Sequence, residues 1–246
     1  MRNSRSVTAL LMKGFRSLPD LLYPRCCPVC HRILKDPSRL VCPSCVKKIR
    51  PISGARCFRC GKPVKADEEY CMDCRNHTRF FTQGKGIFLY DSGMKDSLMK
   101  YKYYGRREYG RFFGKAMYIY GKEALERWKP DLIVPVPLYW RKQRMRGFNQ
   151  AAYLAEQLSN HTGIPADCRL VKKVRQTKSQ KKLDAAQRRK NLQSAFRVQT
   201  RVDGRNILVV DDVYTTGSTI DAMAACLMEN GADKIFFLTL CMGQDR

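Results

Sequence analysis

The residues best placed to do chemistry stand in one run, Val209-Val210-Asp211-Asp212-Val213-Tyr214-Thr215-Thr216-Gly217-Ser218-Thr219. An apolar strand leads into two carboxylates, then into a loop of hydroxyls around a glycine, then into a helix. The start of that helix offers unpaired N–H groups and the positive end of its dipole. Thr215, Thr216, Ser218 and Thr219 add hydroxyl donors, and Gly217 lets the backbone approach a ligand closely. Together they make a cup for a phosphate monoester. Asp211 and Asp212 at its mouth would repel phosphate, so they need another task, such as accepting hydrogen bonds from ribose hydroxyls or helping to hold hydrated Mg²⁺. A turn made by the Asp pair with ordinary Thr/Ser helix caps would explain each residue singly. It does not explain their order, nor their place at the carboxyl end of a parallel strand, where α/β sheets bind ligands.

A second constellation lies near the start. Of twelve cysteines, nine fall between Cys26 and Cys74. Eight form the pairs Cys27/Cys30, Cys42/Cys45, Cys57/Cys60 and Cys71/Cys74, each with two intervening residues. That spacing lets a tight knuckle aim both sulfurs at one zinc ion, and two knuckles complete a tetrahedron. The simplest pairing is sequential, giving two zinc sites. With four thiolates each they leave no open position for water, so they are structural. Gly61 after Cys60 suits the knuckle turn. Disulfides fit poorly in a chain without a secretion signal, and a thioredoxin-like redox motif would be one such pair. Cys26 competes with Cys27 as a ligand, His31 and His77 are bystanders, and Cys168, Cys226 and Cys241 are small core residues.

Strands and helices must position these groups. Tyr109 to Trp128 reads as a helix ended by Pro130, Leu132 to Val134 as a buried strand, and Gly147 to Leu158 as a helix. Ile207 to Val210 and Ile235 to Leu240 read as strands around a helix from Thr219 to Asn230 closed by Gly231. Strands alternating with helices point to an α/β fold with a parallel sheet flanked by helices. Residues 1–22 carry a helical stripe (Val7, Leu10, Leu11, Phe15, Leu18) interrupted by Lys13 and Arg16. It reads as an amphipathic helix packed on the body, with a membrane anchor as the competing reading. No run is long enough to span a bilayer and no signal-peptide pattern is present, which predicts a cytoplasmic protein. With 47 Lys+Arg against 22 Asp+Glu, the formal charge of +25 attracts polyanions, whether nucleotides or nucleic acid.

The run VVDDVYTTGST resembles the motif that binds phosphoribosyl pyrophosphate (PRPP) in type I phosphoribosyltransferases. Together with DLIVPVPLYWRKQRMRGFNQ, the Gln180 to Asn191 segment and the four cysteine pairs, the chain resembles the ComF/ComFC competence-protein family from about Tyr23 onward. The resemblance implies a double zinc ribbon over 23–80, a phosphoribosyltransferase-type domain over 84–246, and a role linked to DNA uptake or use during natural transformation, with uptake-machinery proteins as partners. It implies that Asp211 and Asp212 meet the PRPP ribose and its Mg²⁺ and that Thr215 to Thr219 bind the 5′-phosphate. The turn at Leu138 would face the pyrophosphate, with Arg146 at a helix N-terminus. Arg175, Gln180 and Asn191 match basic and polar positions on the segment over the site, with a departure at Lys173, where many members carry Arg. Lys100-Tyr101-Lys102-Tyr103-Tyr104 matches a lysine-centred segment before the core; its tyrosines and the basic runs Lys172 to Lys182 and Arg188 to Lys190 suit single-stranded DNA.

An active enzyme of this type would displace pyrophosphate at the anomeric carbon with a nitrogen nucleophile. No residue declares itself as recognising an acceptor base. A DNA-binding factor whose PRPP domain acts as sensor or scaffold is therefore the rival reading.

Overall fold

Apolar runs separated by helices of ten or more residues leave the chain one economical solution, a parallel sheet covered on both faces. The computed structural model describes residues 24–36, 38–175 and 195–243. The expected N-terminal helix over 1–22, and Gln180 and Asn191, lie outside them. In chain order the elements are α1 (Pro43–Val46), α2 (Met72–Asn76), β1 (Gln83–Leu89), α3 (Ser92–Tyr103), α4 (Tyr109–Trp128), β2 (Leu132–Pro135) and α5 (Trp140–Arg146). There follow α6 (Gln150–Thr162), β3 (Val171–Lys173), β4 (Phe196–Val198), β5 (Asn206–Tyr214), α7 (Ser218–Glu229) and β6 (Lys234–Met242). The main sheet has the order β1-β6-β5-β2 with every pairing parallel, and β3 and β4 form a separate antiparallel ribbon.

Alternation along β5 divides the core. Leu208 and Val210 pack with Phe113 and Met117 of α4 and Leu154 of α6, whereas Ile207 and Val209 pack with Met223 and Leu227 of α7. Each such fully buried side chain contributes roughly 1.5–3 kcal/mol. The two cysteine-rich units join opposite faces. Cys27 and Cys45 belong to the first core, and Cys57, Cys60 and Cys71 to the second. Neither unit is an appendage; each completes one layer of the sandwich.

Three local differences from the sequence expectations matter for the site. The central strand β5 does not stop at Val210 but continues through Asp211 and Asp212 to Tyr214, because β6 extends alongside it and pairs with it as far as Met242. Gly147 does not open a helix. It adopts a left-handed conformation (φ 77°) that closes α5, and Asn149 caps α6 by accepting from Ala151 N–H. Arg146 is consequently the last residue of a helix, a correction to its expected N-terminal position. Tyr101 is wholly buried, with its hydroxyl donating to the Gln150 carbonyl, so it is not a stacking surface for bases. Among the described residues no helix is long and apolar enough to cross a membrane.

Candidate phosphoribosyl site and cysteine clusters

Both cysteine-rich units repeat one local design. In the first, Cys27 N–H donates to the Arg32 carbonyl and His31 N–H to the Cys27 carbonyl; in the second, Cys57 N–H donates to Lys62 and Gly61 N–H to Cys57. The turn needs a left-handed residue, which is Gly61 (φ 74°) in one unit and His31 (φ 62°) in the other. A non-glycine residue is strained there. His31 is held by Asp96 at 2.7 Å from Nε2 and by the Tyr109 hydroxyl at 2.9 Å from Nδ1. The second half of each unit is a cysteine pair at the start of α1 or α2, with Cys45 N–H and Cys74 N–H donating to the Cys42 and Cys71 carbonyls.

The pairing is sequential. Cys27, Cys30, Cys42 and Cys45 converge, as do Cys57, Cys60, Cys71 and Cys74, with the sulfurs of each group within 4.8 Å of one another. Zinc–sulfur bonds of about 2.3 Å give a tetrahedron with edges of ~3.8 Å. The Cys30–Cys42 and Cys60–Cys71 sulfurs are 3.7 and 3.5 Å apart, so both groups fit a structural zinc ion. Cys26 stands outside, in an antiparallel bridge to Ile33. Cys226 and Cys241 are buried in the core, while Cys168 is partly exposed beside Asp167.

The carboxylates and hydroxyls sit together at the carboxyl end of β5. The Asp212 backbone N–H donates to Asp211 Oδ1 at 2.8 Å, which holds the Asp211 carboxylate against the main chain. Burial pushes the Asp211 carboxyl up to about 7, with the Asp212 charge acting in the same direction. Asp212 is held by Lys102, whose ammonium lies 2.8 Å from Oδ1 on a largely buried side chain. Burial opposes the Lys102 charge, but the Asp212 carboxylate outweighs it and the ammonium titrates above its ordinary range. Lys173, from β3, is shifted downward by burial and by Lys142, against the pull of Asp211.

Beyond the carboxylates, Gly217 (φ 78°) begins α7, and no side chain caps that helix start. Thr215, Thr216 and Ser218 are exposed, with the Thr216 and Ser218 hydroxyls 2.8 Å apart. Exposed hydroxyls and an uncapped helix start therefore follow directly on Asp211 and Asp212 along the chain. Within the same run, Tyr214 lies flat against Phe237 at 4.7 Å, and Arg79 donates to the Thr216 carbonyl at 3.1 Å.

The remaining expected residues have other surroundings. Leu138, on the turn after β2, lines a cleft of about 800 Å³ between α5, α6 and the β3–β4 ribbon; no residue from Asp211 to Thr219 lines it. Arg146 donates to the Tyr103 hydroxyl and the Gln150 side chain, and its guanidinium lies 4.7 Å from the Tyr103 ring. Arg175 is exposed just past β3. Two site residues escaped sequence reasoning. Lys102 stands in the Lys/Tyr run that reads as surface; its place four residues after the buried Leu98, on the same helical face, is the signal that it points inward. Nothing in the sequence marks Arg79.

Residues 18–75 match the family model for a double zinc ribbon domain, and residues 116–246 the model for a phosphoribosyl transferase domain. The chain is similar to "Competence protein F" of Haemophilus influenzae, 30% identical over 85% of this chain and 93% of the relative. It is similar at 30% to "DNA utilization protein YhgH" of Escherichia coli K12, over 90% of this chain and 98% of that protein. It is 31% identical to "Competence protein ComFC" of Bacillus subtilis, over 80% of this chain and 82% of the other. Matches over 80–90% of the chain, on a parallel sheet with paired four-cysteine clusters, show that the chain belongs to the ComF/ComFC family of double zinc ribbon and phosphoribosyltransferase-domain proteins.

Proposed function

We propose that this is a cytoplasmic protein of DNA uptake or use that binds PRPP with Mg²⁺ at the carboxyl end of β5. The observation that carries the reading is the uncapped helix start and the exposed hydroxyls of Thr215, Thr216 and Ser218, directly after Asp211 and Asp212. The loop would take the 5′-phosphate, and the two carboxylates would accept from the ribose 2′- and 3′-hydroxyls. Mg²⁺ carried by PRPP would neutralise the leaving pyrophosphate. Lys102 keeps Asp212 in place before the ligand arrives, so little reorganisation accompanies binding. If transfer occurs, the bond from the anomeric carbon to the pyrophosphate oxygen breaks. A bond to a nitrogen nucleophile forms, and pyrophosphate leaves with the bonding electrons.

Asp212→Ala is expected to weaken PRPP binding by about tenfold or more, since a hydrogen bond to a charged group contributes roughly 1.5–3 kcal/mol. Asp212→Asn, which keeps the shape, should lose nearly as much. Calorimetric titration in Mg²⁺ that finds the same affinity for wild type and both variants would remove the assignment. Pyrophosphate release, measured with candidate bases and with single-stranded DNA, separates an enzyme from a sensor.

Helix α5 favours a second role, the gripping of single-stranded DNA. It has no buried residue and reads Trp-Arg-Lys-Gln-Arg-Met-Arg. Trp140 is 55% exposed, with Arg141 over its ring, and Tyr103, which Arg146 contacts, is exposed together with its neighbour Tyr104. A helix without a core face that presents four cations and a tryptophan suits phosphates and stacked bases. With about four phosphate contacts, log K should fall against log salt with a slope of roughly −3. Replacing Trp140, Tyr103 and Tyr104 should remove a salt-insensitive remainder. Fluorescence anisotropy showing no such remainder, and no loss in the triple variant, would leave only nonspecific attraction.

A further inference from the structure

The segment that leaves the second cysteine cluster touches the phosphate loop and the elements that carry it, β5, α7 and β6, at successive residues. Arg79, five positions after the ligand Cys74, donates through Nη2 to the Thr216 carbonyl at 3.1 Å. Phe80 N–H donates to Asp221 Oδ1 at 2.7 Å, in the first turn of α7. Phe81 packs edge-on against both Tyr214 and Phe237, and Thr82 N–H donates to the Ile235 carbonyl. From the cluster itself, Lys62 reaches Asp73 at 2.6 Å and lies 6.0 Å from the Tyr214 ring.

The Arg79 contact has a directional consequence. In a planar trans peptide the C=O and the following N–H point in opposite senses. Drawing the Thr216 carbonyl toward Arg79 therefore turns the Gly217 N–H away from Arg79, within a loop whose Thr215, Thr216 and Ser218 are exposed. A glycine in this loop has a broad conformational choice and would otherwise sample peptide orientations that aim the carbonyl oxygen at an incoming anion. The Arg79 side chain is itself confined: its Nε is buried without a hydrogen-bond partner among the described residues, and Asp73, Cys74, Tyr214 and Asp221 are its electrostatic neighbours.

We propose that Arg79 is a positioning residue for the 5′-phosphate, held by the second four-cysteine cluster and acting through the Thr216–Gly217 peptide. This rests on the phosphoribosyl reading above and gives that cluster a part in ligand affinity besides folding.

The test is calorimetric titration of wild type, Arg79→Met and Arg79→Lys with three probes: ribose 5-phosphate, PRPP with Mg²⁺, and pyrophosphate with Mg²⁺. Loss of one hydrogen bond's orienting effect, about 1 kcal/mol, corresponds to a factor of about five. Arg79→Met should weaken ribose 5-phosphate and PRPP by that common factor and leave pyrophosphate unchanged. Arg79→Lys, which keeps one donor and the charge, should recover most of it. Zinc content and thermal midpoint, measured on the same samples, should match wild type. A loss shared by pyrophosphate, or one that follows zinc loss, makes Arg79 merely structural and overturns the proposal. So does unaltered affinity in Arg79→Met. If wild type binds neither sugar phosphate, the phosphoribosyl reading itself fails and this inference falls with it.

Discussion

Stripping zinc from the purified chain is expected to unfold the segment up to about Phe81 and to destabilise the sheet beneath it, and replacing Cys60 with Ser to do so at the second cluster alone. Each cluster is a set of four thiols gathered within 4.8 Å, an arrangement that has little apolar reason to persist without an ion at its centre. Structural zinc contributes on the order of 10–16 kcal/mol in small zinc domains, comparable to or above the 5–15 kcal/mol that holds a whole domain folded. The clusters are also built into the core: Cys60 is fully buried and packs in the α7-side layer, and Cys27, equally buried, in the α4-side layer. Cys27→Ser and Cys60→Ser should therefore both lower the thermal midpoint, through different faces of the same sheet. Cys26→Ser should retain both ions, because Cys26 stands outside the cluster. Metal analysis of protein purified without added zinc should find about two ions per chain. A protein that stays folded with less than about one would show that the thiols are not zinc ligands.

The cysteine clusters were legible because their chemistry is local: a two-residue gap between sulfurs has few other uses, and the sequential pairing follows from short connections. Helix α4 was legible from Tyr109 to Trp128 because its apolar face repeats over five turns, and Lys129 and Pro130 end it. Where periodicity was missing, so was the prediction. Helix α5 buries nothing, so no hydrophobic pattern announced it, and with it went the sense of Arg146 as a helix end. The other losses are matters of distance along the chain. Lys102 meets Asp212 across 110 positions and Arg79 meets Thr216 across 137. A lysine beside tyrosines looks like surface until the fold turns it toward a buried carboxylate. The same logic explains β5, where two aspartates interrupted an apolar run and hid a strand that β6 carries on to Tyr214.

Gly217→Ala is expected to damage the phosphate loop severely, and the reason is visible in two independent terms. At φ 78° an L side chain is strained by roughly 1 kcal/mol relative to glycine. The added Cβ would also stand 2.3 Å from the Tyr214 hydroxyl and 2.7 Å from its Cζ. That ring has no easy retreat, because it is stacked on Phe237 and flanked by Phe81. Overpacking of this kind costs typically 1–3 kcal/mol. The sum, roughly 2–4 kcal/mol, should lower the thermal midpoint by about 5–15 °C and abolish tight binding of ribose 5-phosphate. Tyr214→Phe separates the terms. The Tyr214 hydroxyl is buried and has no hydrogen-bond partner among the described residues, so its removal alone should cost little or even stabilise. In the Gly217→Ala background the same change removes the 2.3 Å contact and leaves the 2.7 Å one, so it should return part of the lost stability but none of the backbone strain. A double-mutant cycle should thus show favourable coupling on the order of 1 kcal/mol. Strict additivity would mean that the loop yields to the methyl group without engaging Tyr214. A Tyr214→Phe variant that stays stable yet binds ribose 5-phosphate more weakly would instead show that the buried hydroxyl finds its partner in the phosphate.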